Sequence, residues 1–157
     1  MSAKEALTIA FEPLARAIAG LDLTNAGAAE RALGEAFAVT SLAEIRAMIL
    51  EASEAGWLTP REGGGVRFGR LAKPSEATHG LSIDVVDMTS PGPGHTHPNG
   101  EVSLCFAIDG APTFMGKPEG WVVAEVGSHH VPTVAGGRMI IAYFLPDGAM
   151  VFDSIDP

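Results

Sequence analysis

The chain has 157 residues, of which 46% are hydrophobic and 18% charged, and a formal charge of −9 from 10 Lys and Arg against 19 Asp and Glu. Such a length suits one domain, or a small domain with an added subdomain, and the composition is that of a chain that folds. The acidity argues against nucleic acid or an anionic membrane as partner, because a phosphate backbone is held by clustered Lys and Arg.

The start, "MSAKEALTIAFEPL", lacks the basic opening, apolar run and cleavage site of a signal peptide. No later stretch has the roughly 18 apolar residues that a membrane span needs. A cytoplasmic protein is expected. Between residues 4 and 19, Leu7, Phe11, Leu14 and Ile18 recur at helical spacing. Pro13 falls inside that stripe, where a proline costs about 3 kcal/mol, so a kink or a separate first turn is expected, with Gly20 ending the helix. A second helix is predicted from about Ala28 to Phe37. A third is predicted to begin at Ser41, where "SLAE" reads as a capping box with Glu44, Leu42, Ile45, Ile49 and Ala52 form the buried stripe, and Gly56 is the left-handed C-terminal residue.

From Trp57 the period changes to two. "WLTPREGGGVRFGRL" predicts two short strands around a glycine-rich turn. Helices followed by a hairpin resemble a winged helix, but residues 1 to 60 carry Glu5, Glu12, Asp22, Glu30, Glu35, Glu44, Glu51 and Glu54 against Lys4, Arg16, Arg31 and Arg46. This segment is therefore expected to be an oligomerisation or lid element rather than a DNA reader. The only basic run is Arg61, Arg67, Arg70 and Lys73. The strands "LSIDVVDM", "EVSLCFAID", "GWVVAEV", "RMIIAYFL" and "AMVFDS" follow, separated by "SPGPG", "DGAP", "KPEG", "AGG" and "PDG" as turns. Short antiparallel strands at this spacing make a sandwich, jelly roll or small barrel. The expected division is a helical extension over 1–56 and a barrel over 57–157. Cys105, the single cysteine, sits in the apolar run "VSLCFAI" and is expected to be a small buried hydrophobe.

The chemistry concentrates in "SPGPGHTHPNGEVSL" (90–104). Residues two apart on a strand face the same side, so His95 and His97 can both face the interior, and a turn at Pro98–Gly100 can return Glu101 to them. Two imidazoles and a carboxylate are ligands for Fe(II), Mn(II), Ni(II) or Zn(II). "EVGSHHVPTV" offers a fourth ligand in His130, with the adjacent His129 pointing away if the segment is extended.

The pattern His95-x-His97-x3-Glu101 followed by Gly127-x-x-His130 resembles the two halves of the cupin metal motif. That resemblance implies a mainly β fold, the double-stranded β-helix or jelly-roll barrel, with a divalent metal held by His95, His97, Glu101 and His130. A closer likeness covers about Gly56 to Phe152. "GWLTPREGGGVRFGRLAKP", "THGLSIDVVDM", "GHTHPNGEV" and "HVPTVAGGRMIIAYFLPDGA" together resemble the cupin-like 4-hydroxylaminobenzoate lyases of bacterial nitroaromatic degradation. The resemblance implies conversion of 4-hydroxylaminobenzoate to 3,4-dihydroxybenzoate and ammonia, by a protein expected to be a homodimer as small cupins commonly are. That reaction is redox-neutral and needs no nicotinamide or flavin, in keeping with a sequence that has neither a Rossmann glycine pattern nor a P-loop.

The reaction needs an acid, a base and a cation for the carboxylate. Glu101, His130 and His79 are the expected acid–base residues. Arg70 and Arg67 are the expected carboxylate anchors, with Arg138 third, because a guanidinium recognises a carboxylate bidentately. Tyr143, the only tyrosine, reads either as a substrate contact or as core. Rival expectations are another metal-cupin enzyme, a dioxygenase or isomerase acting on a small acid, and a non-catalytic cupin sensor of aromatic acids.

Overall fold

A computed structural model describes residues 1–154. Helix α1 (Ala3–Ala19) is capped by Ser2, whose hydroxyl accepts the Glu5 N–H, and it runs through Pro13 as one helix. Its stripe Leu7, Phe11, Leu14, Ala15 and Ile18 is buried on both sides of the proline, so packing holds the two halves in line. Helix α2 (Ala26–Ala36) takes its cap from Asn25, which accepts the Ala28 N–H. The expected capping box of α3 (Ala43–Glu54) does not form. Residues Val39–Ser41 make a 3-10 turn in which the Ser41 hydroxyl donates to the Ala38 carbonyl, which leaves Leu42 at the N-cap without a side-chain bond. Gly56 is left-handed, with φ +86°, as expected after the helix.

Nine strands follow among the described residues: β1 (Arg61–Gly63), β2 (Val66–Ala72), β3 (Leu81–Met88), β4 (His95–His97), β5 (Glu101–Phe114), β6 (Gly120–Ala124), β7 (Ser128–His130), β8 (Val134–Pro146) and β9 (Val151–Phe152). They form a six-stranded sheet in the order β1-β2-β3-β8-β5-β6 and a three-stranded sheet in the order β7-β4-β9. All named pairs are antiparallel. Where composition predicts turns, "DGAP" and "AGG" instead lie inside β5 and β8, and the register slips around the pairs Asp109↔Arg138 and Gly110↔Gly137. The two strands cross so closely here that a Cβ on Gly137 would sit 2.0 Å from the Asp109 carbonyl oxygen. Such bulges bend long strands and help a sheet curl.

Side-chain alternation then divides the six-stranded sheet into two faces. Ile83 and Val85 of β3, Leu104 and Phe106 of β5, and Ile140, Ala142 and Phe144 of β8 share one buried cluster with Leu7, Phe11, Ile18, Ile45 and Ile49 of the helices. Val66, Met88, Cys105, Met139 and Ile141 form a second cluster on the opposite face. The helices thus cover the back of the sheet, away from its interior face. A lid role, one of the two expected for them, is ruled out by that placement. Cys105 is fully buried, as expected, and burial pushes its thiol pKa well up, so it stays protonated.

One polar cluster ties the helices to the sheet. Asp87 of β3 accepts two 2.8 Å hydrogen bonds from Arg138 and one of 3.0 Å from the Ser53 hydroxyl of α3, while Arg138 also reaches Glu54 at 3.3 Å. Burial works to raise the Asp87 pKa, but these donors outweigh it and hold the group below its ordinary 3.8. A carboxyl with a depressed folded pKa contributes stability that is complete above 3.8 and is lost as the pH falls through the folded value. Asp87→Asn is therefore expected to cost about 1.5–3 kcal/mol near neutrality. In urea melts, the gap to wild type should narrow as the pH is taken below 3.8 and through the lowered folded-state value; a gap independent of pH would assign the loss to packing instead.

No helix of the described residues is long and apolar enough to cross a membrane.

Candidate metal centre

Strand β4 buries His95 and His97 on one side, with Thr96 turned the other way. The chain then reverses through Gly100, at φ +87°, whose N–H bonds to the His97 carbonyl. A Cβ there would come within 3.0 Å of Leu23 and 3.2 Å of the Ala124 carbonyl, so both the dihedral and the space call for glycine. This turn delivers Glu101 as the first residue of β5. Strand β7 lies beside β4 with His130 directly opposite His95. His129 points outward, as alternation requires, and bonds to Asp153 at 2.9 Å.

Four ligand atoms converge as a result, all within 4.8 Å of one another. The His130 Nε2 lies 3.1 Å from His95 Nε2 and 3.2 Å from His97 Nε2. The Glu101 Oε2 lies 3.3 Å from His95 Nε2 and 3.2 Å from His97 Nε2, and Oε1 is 3.8 Å from His130 Nε2. The outer nitrogens are committed elsewhere. His95 Nδ1–H donates to the Pro93 carbonyl at 3.1 Å. His97 Nδ1–H donates to Ser128 Oγ at 3.0 Å, since the Ser128 hydroxyl proton is used on the Glu125 carbonyl at 2.6 Å. In their neutral forms both rings therefore aim Nε2 lone pairs at the centre.

Glu101 Oε2 is buried and, despite those short distances, has no aligned hydrogen-bond donor among the described residues. A buried carboxylate oxygen facing three imidazole nitrogens is costly unless positive charge sits between them. Burial works to raise the Glu101 pKa, yet the imidazoles of His95 and His97, 3.3 and 3.2 Å away, bring it down to about 2. Burial likewise acts to lower His95, and Glu101 outweighs it, leaving His95 above its usual value. His130 goes the other way: burial, reinforced by the neighbouring His97 and His95 and only partly opposed by Glu101, lowers it to about 4. The group thus draws in a cation, a proton on His95 or a metal ion, and its donor set fits a divalent transition metal with the outer nitrogens already braced.

Beside these ligands lies a cavity of about 270 Å³. Its walls include Val66, Phe68, Val86, Met88, Phe114 and Ile141, and its lining ionisable and hydroxyl side chains are His95, Glu101, Ser103 and Tyr143. Ser103 donates to Glu101 Oε1 at 3.1 Å. Burial keeps the Tyr143 pKa well above its usual value, so its hydroxyl stays a donor, and among the described residues it has no hydrogen-bond partner. Ser103, Ser128 and Phe152 are not singled out by sequence reasoning. Ser103 could be, because it stands two residues beyond Glu101 and shares its side of the strand.

The other expected site residues lie elsewhere. Phe68 and Val66 line the cavity, so Arg67 between them faces the helices and donates to the Ser53 carbonyl at 2.8 Å. Arg138 is on that same outer face, bound to Asp87. Arg70 is half exposed and paired with Asp84 at 2.8 Å, outside the cavity lining. His79 sits in a loop with φ +55° and bonds to Glu12 of α1 at 3.1 Å. Arg67, Arg138 and His79 are thus kept from the cavity, whereas Arg70, in one cross-strand row with Asp84, Tyr143 and Ser103, is on the cavity side of the sheet but is held by Asp84 outside the lining.

A two-sheet jelly roll with three histidines and one glutamate converging inside it is a cupin-type barrel. The sequence profile of the family described as PnbB, 4-hydroxylaminobenzoate lyase, matches residues 12–152, and the chain belongs to that family. A 4-hydroxylaminobenzoate lyase of Nocardioides sp. (strain LMS-CY) is 33% identical over 112 residues, which is 65% of this chain and 66% of that protein, just under two thirds of its length. One of Pseudomonas putida is 28% identical over 128 residues, or 70% of this chain and 73% of that protein. Among solved structures, an acetylacetone dioxygenase from Acinetobacter johnsonii matches with a TM-score of 0.44 and 14% identity, over 59% of this chain and 66% of that one.

Proposed function

We propose that the chain is a lyase that converts 4-hydroxylaminobenzoate and water to 3,4-dihydroxybenzoate and ammonia. The observation that carries this reading is the apolar, ring-sized cavity whose ionisable groups are gathered at the histidine and glutamate cluster. The reaction balances without an external redox partner. The N–O, C4–N and C3–H bonds break and C3–O and C4–O bonds form, and the two electrons that reduce nitrogen come from C3, whose hydrogen leaves as a proton.

A divalent ion held by His95, His97, Glu101 and His130 would supply Lewis acidity at that end of the cavity. The protein's own groups do the rest. The apolar walls hold the ring and keep bulk water out. Tyr143, protonated and without a protein partner, donates to the departing hydroxylamine oxygen, a role that sequence reasoning assigns to His79. Glu101, ionised down to about pH 2, and His130, neutral down to about pH 4, accept protons where they are not engaged as ligands.

Incubation of the purified protein with 4-hydroxylaminobenzoate should release ammonia and 3,4-dihydroxybenzoate in equal amounts with no oxygen uptake. Oxygen consumption would move the protein to the dioxygenase class, and binding without turnover to the sensor class. Tyr143→Phe is expected to lower kcat by roughly a hundredfold, the lower end of what a positioned proton donor contributes, with little change in KM. Wild-type kcat in that variant would remove Tyr143 from the mechanism.

A further inference from the structure

The cavity has no lysine or arginine in its lining and its histidine belongs to the ligand cluster, yet an aromatic acid brings a carboxylate that is costly to bury unpaired. The carboxylate must therefore meet its cation at the margin of the cavity, and the pairing of β1 shows which one stands there. Gly64 and Gly65, at φ +60° and +82°, make a two-residue turn that pairs Gly63 with Val66, Glu62 with Arg67 and Arg61 with Phe68. Directly paired residues of antiparallel strands project to the same face. Gly63, Val66 and Phe68 line the cavity, whereas Glu62 and Arg67 border a separate cleft on the other face with Glu54, Asp87 and Arg138. Arg61 consequently belongs to the cavity face.

Its position along the sheet is equally defined. The cross-strand row Arg61, Phe68, Val86, Ile141 runs from the edge strand towards β5, and all of it but Arg61 is cavity wall. β1 is an edge strand, so the side chain is exposed at the open border of the wall, with β2, β3 and β8 between it and β5, the strand that carries Glu101. Of the four strand arginines, Arg67, Arg70 and Arg138 are already engaged with protein oxygens. Arg61 has no hydrogen-bond or ion-pair partner among the described residues.

We infer that Arg61 is the carboxylate-binding residue of this site: its guanidinium closes over the cavity margin and receives the carboxylate of the aromatic acid, while the opposite end of the ring faces the His95, His97, Glu101 and His130 cluster. The inference rests on the lyase reading for the identity of the acid, and on register and charge for the residue. It makes Arg61 a selector of acids over neutral aromatics with the same ring.

The test pairs kinetics with binding. Arg61→Ala should raise KM for 4-hydroxylaminobenzoate by roughly tenfold or more, the size of a lost charge-assisted contact, with kcat much less affected. KM for the neutral methyl ester should be unchanged, and Arg61→Lys should recover part of the loss. Titration calorimetry is run in parallel with 3,4-dihydroxybenzoate and with catechol, which lacks the carboxylate. Wild type should prefer the acid by roughly tenfold, Arg61→Ala should lose that preference, and unchanged catechol binding would show the variant's site intact. If wild type binds the acid preferentially through Arg61 but turns nothing over, the anchor stands and the lyase reading fails. If wild type is active and Arg61→Ala keeps its KM and its preference for the acid, the anchor is overturned and the lyase reading is untouched. Absence of both turnover and carboxylate-dependent binding overturns both.

Discussion

Glu101→Gln is expected to leave the purified protein unable to retain a divalent metal through dialysis and to lower kcat/KM by at least about a hundredfold. The substitution preserves shape and removes one negative charge from a site whose Oε2 is buried without an aligned donor and lies 3.2–3.3 Å from two imidazole nitrogens. Three neutral imidazoles then face a carboxamide, and nothing offsets the charge of a bound dication. Loss of a partner that only braces a ligand costs about 10–100-fold in metal affinity or activity, so loss of the charged ligand should cost more. Ser128→Ala, which removes the acceptor of His97 Nδ1–H, is the graded control and should fall within that smaller range. Elemental analysis of the dialysed proteins gives a readout independent of turnover. The metal assignment fails if Glu101→Gln retains metal and activity, or if strictly chelated wild type stays fully active.

Phe144→Ala is expected to destabilise the fold by about 3–5 kcal/mol, the usual cost of truncating a buried phenylalanine. Phe144 is 0% exposed and sits on the helix side of β8, with its ring 5.7 Å from that of Phe11 in an edge-on contact and 6.4 Å from that of Trp121. The residue therefore measures how far α1 and the barrel share one core. Phe11→Ala should cost a similar amount, and the double variant less than the sum, because the two rings contact each other. A loss below about 1 kcal/mol in urea melts would make the helices an ornament on a barrel that is stable alone.

Several elements are legible in the amino-acid sequence, each for an identifiable reason. "LSIDVVDM" is the whole of β3 because its β-branched Ile83, Val85 and Val86 favour an extended chain and Gly80 bounds it. The cluster of His95, His97 and Glu101 is legible because strand parity is a local property; parity also says that only one of His129 and His130 can join it, and the pairing of β7 with β4 decides that it is His130. Pro13 misleads because a proline's local cost says nothing about tertiary packing on either side of it. The Ser41 capping box misleads because a serine hydroxyl can serve a nearby carbonyl as well as a helix N–H. "DGAP" and "AGG" mislead because bulges and turns use the same glycines.

The arginines are the hardest. Arg67 and Arg70 stand out as charges in an acidic chain, but which face a strand residue occupies depends on one step of phase. The paired residues Phe68 and Arg61 show that phase only once the hairpin register and the cavity wall are both known. Local pattern in the chain determined the helices, most of the strands, the four converging side chains and the family. The tertiary structure alone decided which sheet face packs against the helices and which walls the cavity, and with it that Arg67 and Arg138 brace α3 while Tyr143 faces the cavity. The reason is physical: a period of two says that neighbours point to opposite sides, but long-range pairing and burial decide which side is the inside.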